Sequence, residues 1–136
     1  MSYDLMVFDP KAAPTDRAAF LAWYKEQTEW AEDHTYDDPA VTTEALRAWF
    51  FDMLKQFPAM NGPHAARDDA SVRVSDYCIG RSVIYVAFAW SQAGAAFEAV
   101  MEHARKHGVG FYDVSSSQGA VWLPRDGDLI CAHANG

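Results

Sequence analysis

Eight consecutive residues, Val83 to Trp90 (Val-Ile-Tyr-Val-Ala-Phe-Ala-Trp), carry no charge and no polar side-chain group beyond a tyrosine hydroxyl and an indole N–H. A run this short, rich in β-branched and aromatic residues, reads as a strand. Because it is apolar on both faces, it belongs in the middle of a sheet. Ile84, Val86, Phe88 and Trp90 alternate with Val83, Tyr85, Ala87 and Ala89, and the alanines leave room for a close neighbour. Flanking strands are therefore required. Val72 to Ile79 forms a hairpin with it across Gly80-Arg81, and Met1 to Phe8 is a first strand closed by Asp9-Pro10. Val109 to Val114 and Ala120 to Leu123 supply two short strands joined by the turn Ser115 to Gly119. From Arg125 the tail is polar, with Leu129-Ile130-Cys131 as a candidate edge strand.

Three helical segments separate these strands. Thr15 or Asp16 caps a first helix running to about Asp33, with Phe20, Trp23, Tyr24, Gln27 and Ala31 along one line. In the second, Leu46, Trp49, Phe50, Met53, Leu54 and Phe57 recur at helical spacing, an uninterrupted core-facing stripe. Thr42 or Thr43 caps it, Glu44 suits the positive end of its dipole, and Pro58 stops it before the turn Asn61-Gly62-Pro63. Ser91 caps a third helix whose inner face is Phe97, Val100, Met101 and Ala104, ended by Gly108. The order β-α-α-β-β-α-β-β gives one α+β domain over residues 1–136. The expected arrangement is a ferredoxin-like split βαβ sandwich, with the helices on one face of a mixed or antiparallel sheet.

A chain of 136 residues, half of them apolar and 14% aromatic, can fold without a disulfide or a metal. It has no apolar run near the roughly 20 residues that span a bilayer. The N-terminus lacks a basic lead and already carries Asp4, unlike a signal peptide, so Cys78 and Cys131 are expected as reduced thiols in a cytoplasmic protein. The net charge of −8 opposes binding to nucleic acid or to an anionic membrane.

That charge is unevenly placed. Seven of the 19 acids (Glu26, Glu29, Glu32, Asp33, Asp37, Asp38 and Glu44) lie in a stretch with no Lys or Arg between Lys25 and Arg47, and the remaining 12 acids balance the 11 bases to −1. Acids in the last turn of a helix oppose its dipole at roughly 0.3–1 kcal/mol each when exposed, so folding gives no reason to gather them there. A solvated face that maintains solubility is one reading. The other is a docking surface for a basic partner, made by Glu26, Glu29, Asp33, Asp37 and Asp38 with Trp30 and Tyr36 as aromatic anchors.

Catalytic patterns are lacking. His103 and His107 stand at i and i+4, as two metal ligands could, but no third ligand is anchored by spacing and helix-end capping explains them. His34 sits among carboxylates without an oriented nucleophile, and Ser115-Ser116-Ser117 lacks a nucleophile elbow. No phosphate loop, dinucleotide fingerprint or calcium loop occurs, so no metal and no cofactor is expected. The alternative to a binding module is a small enzyme or small-molecule-binding domain. Its aromatic-lined pocket would use Tyr77, Tyr85, Trp90 and Tyr112, with His103, His107 and Asp113 at the mouth.

Three segments carry a resemblance: Met-Ser-Tyr-Asp-Leu-Met-Val-Phe-Asp at the start, Tyr85 to Ser91 (Tyr-Val-Ala-Phe-Ala-Trp-Ser), and His107 to Val114 followed by Val121 to Pro124. They resemble the first, central and closing strands of a family of small bacterial proteins of unknown function, over about a third of the chain. The family's association with secreted polymorphic toxins implies a cognate immunity protein, one that neutralises a toxin by covering its active site. The resemblance carries no functional residue. The expected function is protein binding through the acidic surface.

Overall fold

The computed structural model describes residues 2–66 and 71–135. Its centre is the pairing of β1 (Tyr3–Phe8) with β3 (Val83–Phe88), antiparallel from Tyr3 opposite Phe88 to Phe8 opposite Val83. β2 (Asp76–Ile79) flanks β3, while β4 (Gly110–Tyr112), β5 (Val121–Arg125) and β6 (Asp128–His133) follow on the side of β1. The sheet order is β2-β3-β1-β4-β5-β6, with every adjacent pair antiparallel. Between strands lie α1 (Arg17–Gln27), α2 (Glu44–Leu54) and α3 (Ala93–His107). The α+β class expected from the sequence is therefore present.

Alternation along β1 shows how the layers form. Leu5 and Val7 point to one face, where Leu46, Trp49, Phe50 and Met53 of α2 and Ala96, Val100 and Ala104 of α3 bury them. Met6 and Phe8 point to the other, where Phe20 of α1 packs with Val83, Tyr112 and Val121. The Phe8 and Phe20 ring centroids lie 5.2 Å apart. This corrects the expectation of helices on a single face: α2 and α3 share one, and α1 covers the opposite one. The physical reason was present in β3, since a strand apolar on both faces needs cover on both.

Three boundaries also differ from expectation. α1 stops at Gln27 rather than near Asp33, because Thr28 Oγ1 turns back to the Tyr24 carbonyl (3.0 Å) and Trp30 takes a left-handed φ of 54°. The indole thereby reaches Tyr36 and Tyr85, with centroids at 5.1 and 6.2 Å. β2 starts at Asp76, leaving Val72 outside the sheet and 53% exposed. α3 starts at Ala93 after a short 3-10 turn, Trp90–Gln92, and Ser91 does not cap it. Trp90 consequently leaves the core, 47% exposed against Tyr3.

The tail from Arg125 is structured beyond its polar appearance. Asp126 and Gly127, with φ of 51° and 79°, form the tight turn that folds β6 back on β5. Cys78 and Cys131 are free thiols. Among the described residues no helix is long and apolar enough to cross a membrane.

Candidate functional site

The segment after α1 is tied to the β2–β3 hairpin. The Ile79 N–H donates to the Tyr36 carbonyl (2.8 Å), and the Arg81 N–H donates to Glu32 Oε1 (3.0 Å). The Tyr36 hydroxyl accepts from the Glu32 N–H at 2.6 Å. Gly62, at φ +89°, lies so close to the backbone of Asp37 that a Cβ would collide with its carbonyl. The segment is thus positioned by partners distant in sequence.

These attachments divide the seven predicted contact residues. Asp38 accepts from the Ala40 N–H (2.9 Å) and so starts the short 3-10 turn Pro39–Val41, while Asp37 is half-buried against Gly62. Trp30 and Tyr36 are half-buried and in contact with each other. Glu26, Glu29 and Asp33 are exposed, and among the described residues none pairs with a cation. Arg47, the first base after the acidic run, donates instead to the carbonyls of Pro39, Ala40 and Thr42. Glu32, an acid of the same run, pairs with His34 Nε2, and the Thr35 carbonyl faces Nδ1. The Thr35 carbonyl and then the Glu32 carboxylate raise the His34 pKa. Glu26, Glu29 and Glu32 line one groove of about 380 Å³ together with Gln27 and Ala31.

Beside that groove, on the α1 face, an open cavity of about 340 Å³ is lined by Tyr24, Thr28, Trp30, Asp76, Cys78, Tyr85 and Ala87. Its floor is the sheet. Asp76 of β2 and Asp4 of β1 both stand opposite Ala87 of β3, and in the next row Cys78 and Met6 stand opposite Tyr85. The Tyr85 hydroxyl donates to Asp4 Oδ2 at 2.5 Å, and Ser2 Oγ donates to Oδ1 at 2.6 Å. Burial, reinforced by Asp4, holds the Tyr85 phenol protonated well above its ordinary range. Burial and then Asp76 push the Cys78 thiol up to about 11, so near neutral pH it is not the thiolate a nucleophile requires. Asp76 carries the fixed negative charge of this lining, and Asp4, outside the lining, is linked to it through the Tyr85 hydroxyl. Sequence reading missed both; the only signal was a polar residue at alternate positions of strands that are otherwise apolar.

The histidine pair of α3 has a structural explanation. His107 Nε2 lies 2.7 Å from Asp52 Oδ2, Lys106 Nζ lies 3.0 Å from the same oxygen, and His103 Nε2 meets Gln56 Oε1 at 3.0 Å. The cluster clamps α3 to α2. Among the described residues no group of three or more His, Cys, Asp or Glu is arranged to hold a metal. The His107 hydrogen bond, then that of Lys106, holds Asp52 far below its ordinary value of 3.8. A depressed carboxyl stabilises the fold fully above that ordinary value and progressively less as pH falls toward its folded value. Asp52→Asn is expected to cost about 1 kcal/mol at neutral pH. The difference from the parent should narrow between about pH 4 and pH 2, measured by urea unfolding across that range.

The other aromatic pocket expected from the sequence does not assemble. Tyr77 is buried on the α2–α3 face with its hydroxyl donating to the Phe57 carbonyl (2.7 Å), whereas Tyr85 and Tyr112 belong to the α1 face and Trp90 is exposed. The sheet separates them. Comparison with protein-family models, with curated proteins and with solved structures found no match to this chain.

Proposed function

We propose that this chain is a protein-binding module that docks a basic partner on the acidic end of α1. In the form implied by the sequence resemblance, it is an immunity protein that neutralises a cognate toxin in the cytoplasm. The supporting observation is the exposure of Glu26, Glu29 and Asp33 without a cationic partner among the described residues. Internal ion pairing would have consumed a charge gathered for folding. Here the nearby base, Arg47, serves backbone carbonyls instead of these carboxylates.

A surface of this kind acts mainly on the rate of encounter. Its field orients an approaching cationic protein, an effect that weakens as salt shortens the screening length. The half-buried Trp30 and Tyr36 add apolar contact beside the charges, and their attachment to the β2–β3 hairpin limits the ordering cost of binding.

The test is affinity capture from the source cell with the parent and with a Glu26→Gln, Glu29→Gln, Asp33→Asn triple variant, followed by association kinetics on the captured protein. Exposed isosteric changes at these positions leave stability within about 0.5 kcal/mol. The expected partner is basic, and the triple variant slows its association about tenfold at low salt, with the difference shrinking at high salt. A captured partner that associates equally fast with both proteins overturns the assignment.

A further inference from the structure

We propose that the cavity between α1 and the floor formed by β2 and β3 is a receptor for an organic cation, an alkylammonium or guanidinium group. Resting on the docking reading above, its source is a lysine or arginine side chain presented by the basic partner. The recognition chemistry itself stands on four features of the cavity.

The first is strand register. Asp76 and Asp4 both lie opposite Ala87, so the three residues form one row across adjacent strands, a carboxylate on each side of a methyl group. With strands about 4.8 Å apart, Asp76 borders the space above Ala87 directly, while Asp4 stands about 10 Å from Asp76 at the backbone, outside the lining. A larger residue than Ala87 would fill that space. The second is the walls. Trp30 and Tyr85 meet with ring planes at 81° and centroids 6.2 Å apart, and Tyr24 also lines the cavity, so aromatic surface surrounds it on more than one side. Such a corner attracts a weakly hydrated organic cation through its ring faces.

The third is unspent charge. Asp4 is held by neutral hydroxyls, Ser2 Oγ and Tyr85, and Asp76 by the Asn61 amide at 3.4 Å; among the described residues neither pairs with a cation. Hydrogen bonds from hydroxyls orient a carboxylate without cancelling its charge. The fourth is position. The cavity shares Trp30 with the segment between Glu29 and Ala31, whose neighbours line the acidic groove. A chain docked along that groove passes the cavity mouth. An anion would meet the Asp76 carboxylate there. A small hard metal ion would find no cluster of three or more ligating residues among those described.

The experiment is a titration of the full chain by nitrogen–proton NMR, following the Trp30 indole and the Ala87 and Cys78 amides. The probes are N-acetyl-arginine methylamide, N-acetyl-lysine methylamide and tetramethylammonium, with the uncharged N-acetyl-citrulline methylamide as control. Saturable shifts confined to these residues are expected with the arginine or lysine probe and not with citrulline. Asp76→Asn, an isosteric change at a half-exposed position, should weaken binding about tenfold. Ala87→Leu should abolish it with the charge intact. A response to tetramethylammonium alone supports the cation receptor and assigns its ligand to a free ammonium compound rather than to the partner. Absence of a saturable shift with all three cations, equal binding of citrulline, or unaltered binding by a folded Asp76→Asn variant overturns the proposal. The Glu26→Gln, Glu29→Gln, Asp33→Asn triple variant should retain the probe response, because those carboxylates lie outside the cavity lining. Failure of the docking surface and failure of the cation receptor are thereby read separately.

Discussion

Replacing Trp49 by alanine is expected to lower the unfolding free energy by about 3–5 kcal/mol, a large part of the 5–15 kcal/mol typical of a domain. Trp49 is fully buried at the centre of α2, where its ring approaches Tyr77 at 6.4 Å and its Nε1 donates to the Val100 carbonyl of α3 at 3.3 Å. The substitution removes a large apolar surface and the hydrogen bond that joins two helices. The sheet beneath and α3 beside it cannot close the resulting space without moving. Phe51, one residue pair further along and 38% exposed, provides the contrast: Phe51→Ala should cost about 1 kcal/mol or less. Urea unfolding of both variants checks this. A loss below about 1 kcal/mol for Trp49→Ala would mean that α2 does not pack on α3 as described.

Gly110→Ala is expected to cost about 2–3 kcal/mol, an unusual amount for the addition of one methyl group. Gly110 of β4 stands opposite Phe8 of β1, and a Cβ there would overlap the Phe8 ring. The ring has little freedom to yield. It is fully buried, with Phe20 at 5.2 Å and Trp23 at 5.9 Å pressing on it from α1. The damage should therefore reach α1 and the cavity it borders, seen as a change in near-ultraviolet circular dichroism at temperatures where the far-ultraviolet signal is intact. Combining Gly110→Ala with Phe8→Leu tests the cause, because a smaller side chain frees the space. The double variant should lose less than the two single losses added together, and strict additivity would place the origin of the cost elsewhere.

Both expectations concern contacts that local sequence could only half announce. The stripe from Leu46 to Met53 identified α2 as a core helix, and Trp49 is where that stripe is deepest. The stripe did not name Val100 as the indole's acceptor, since that partner lies 51 residues away. Gly110 carried no signal of its own; its need for glycine arises from the ring across the ladder. The same holds at the candidate site. The acidic run from Glu26 to Asp38 was legible as a concentration of charge, but its division was not. Which carboxylates are used internally depended on where the β2–β3 hairpin and Gly62 came to lie.

The sequence by itself determined the number and order of the main helices and strands and the apolar stripe of each, though not where each one ends, because the stripes follow from periodicities of a few residues. It also determined where negative charge accumulates. Tertiary structure alone decided that α1 lies on the face opposite α2 and α3, and that Asp4 and Asp76 flank the same alanine. Periodicity states that a face must be covered without stating by what. Strand register, which joins residues more than 70 positions apart, is set only when all the layers close on one another.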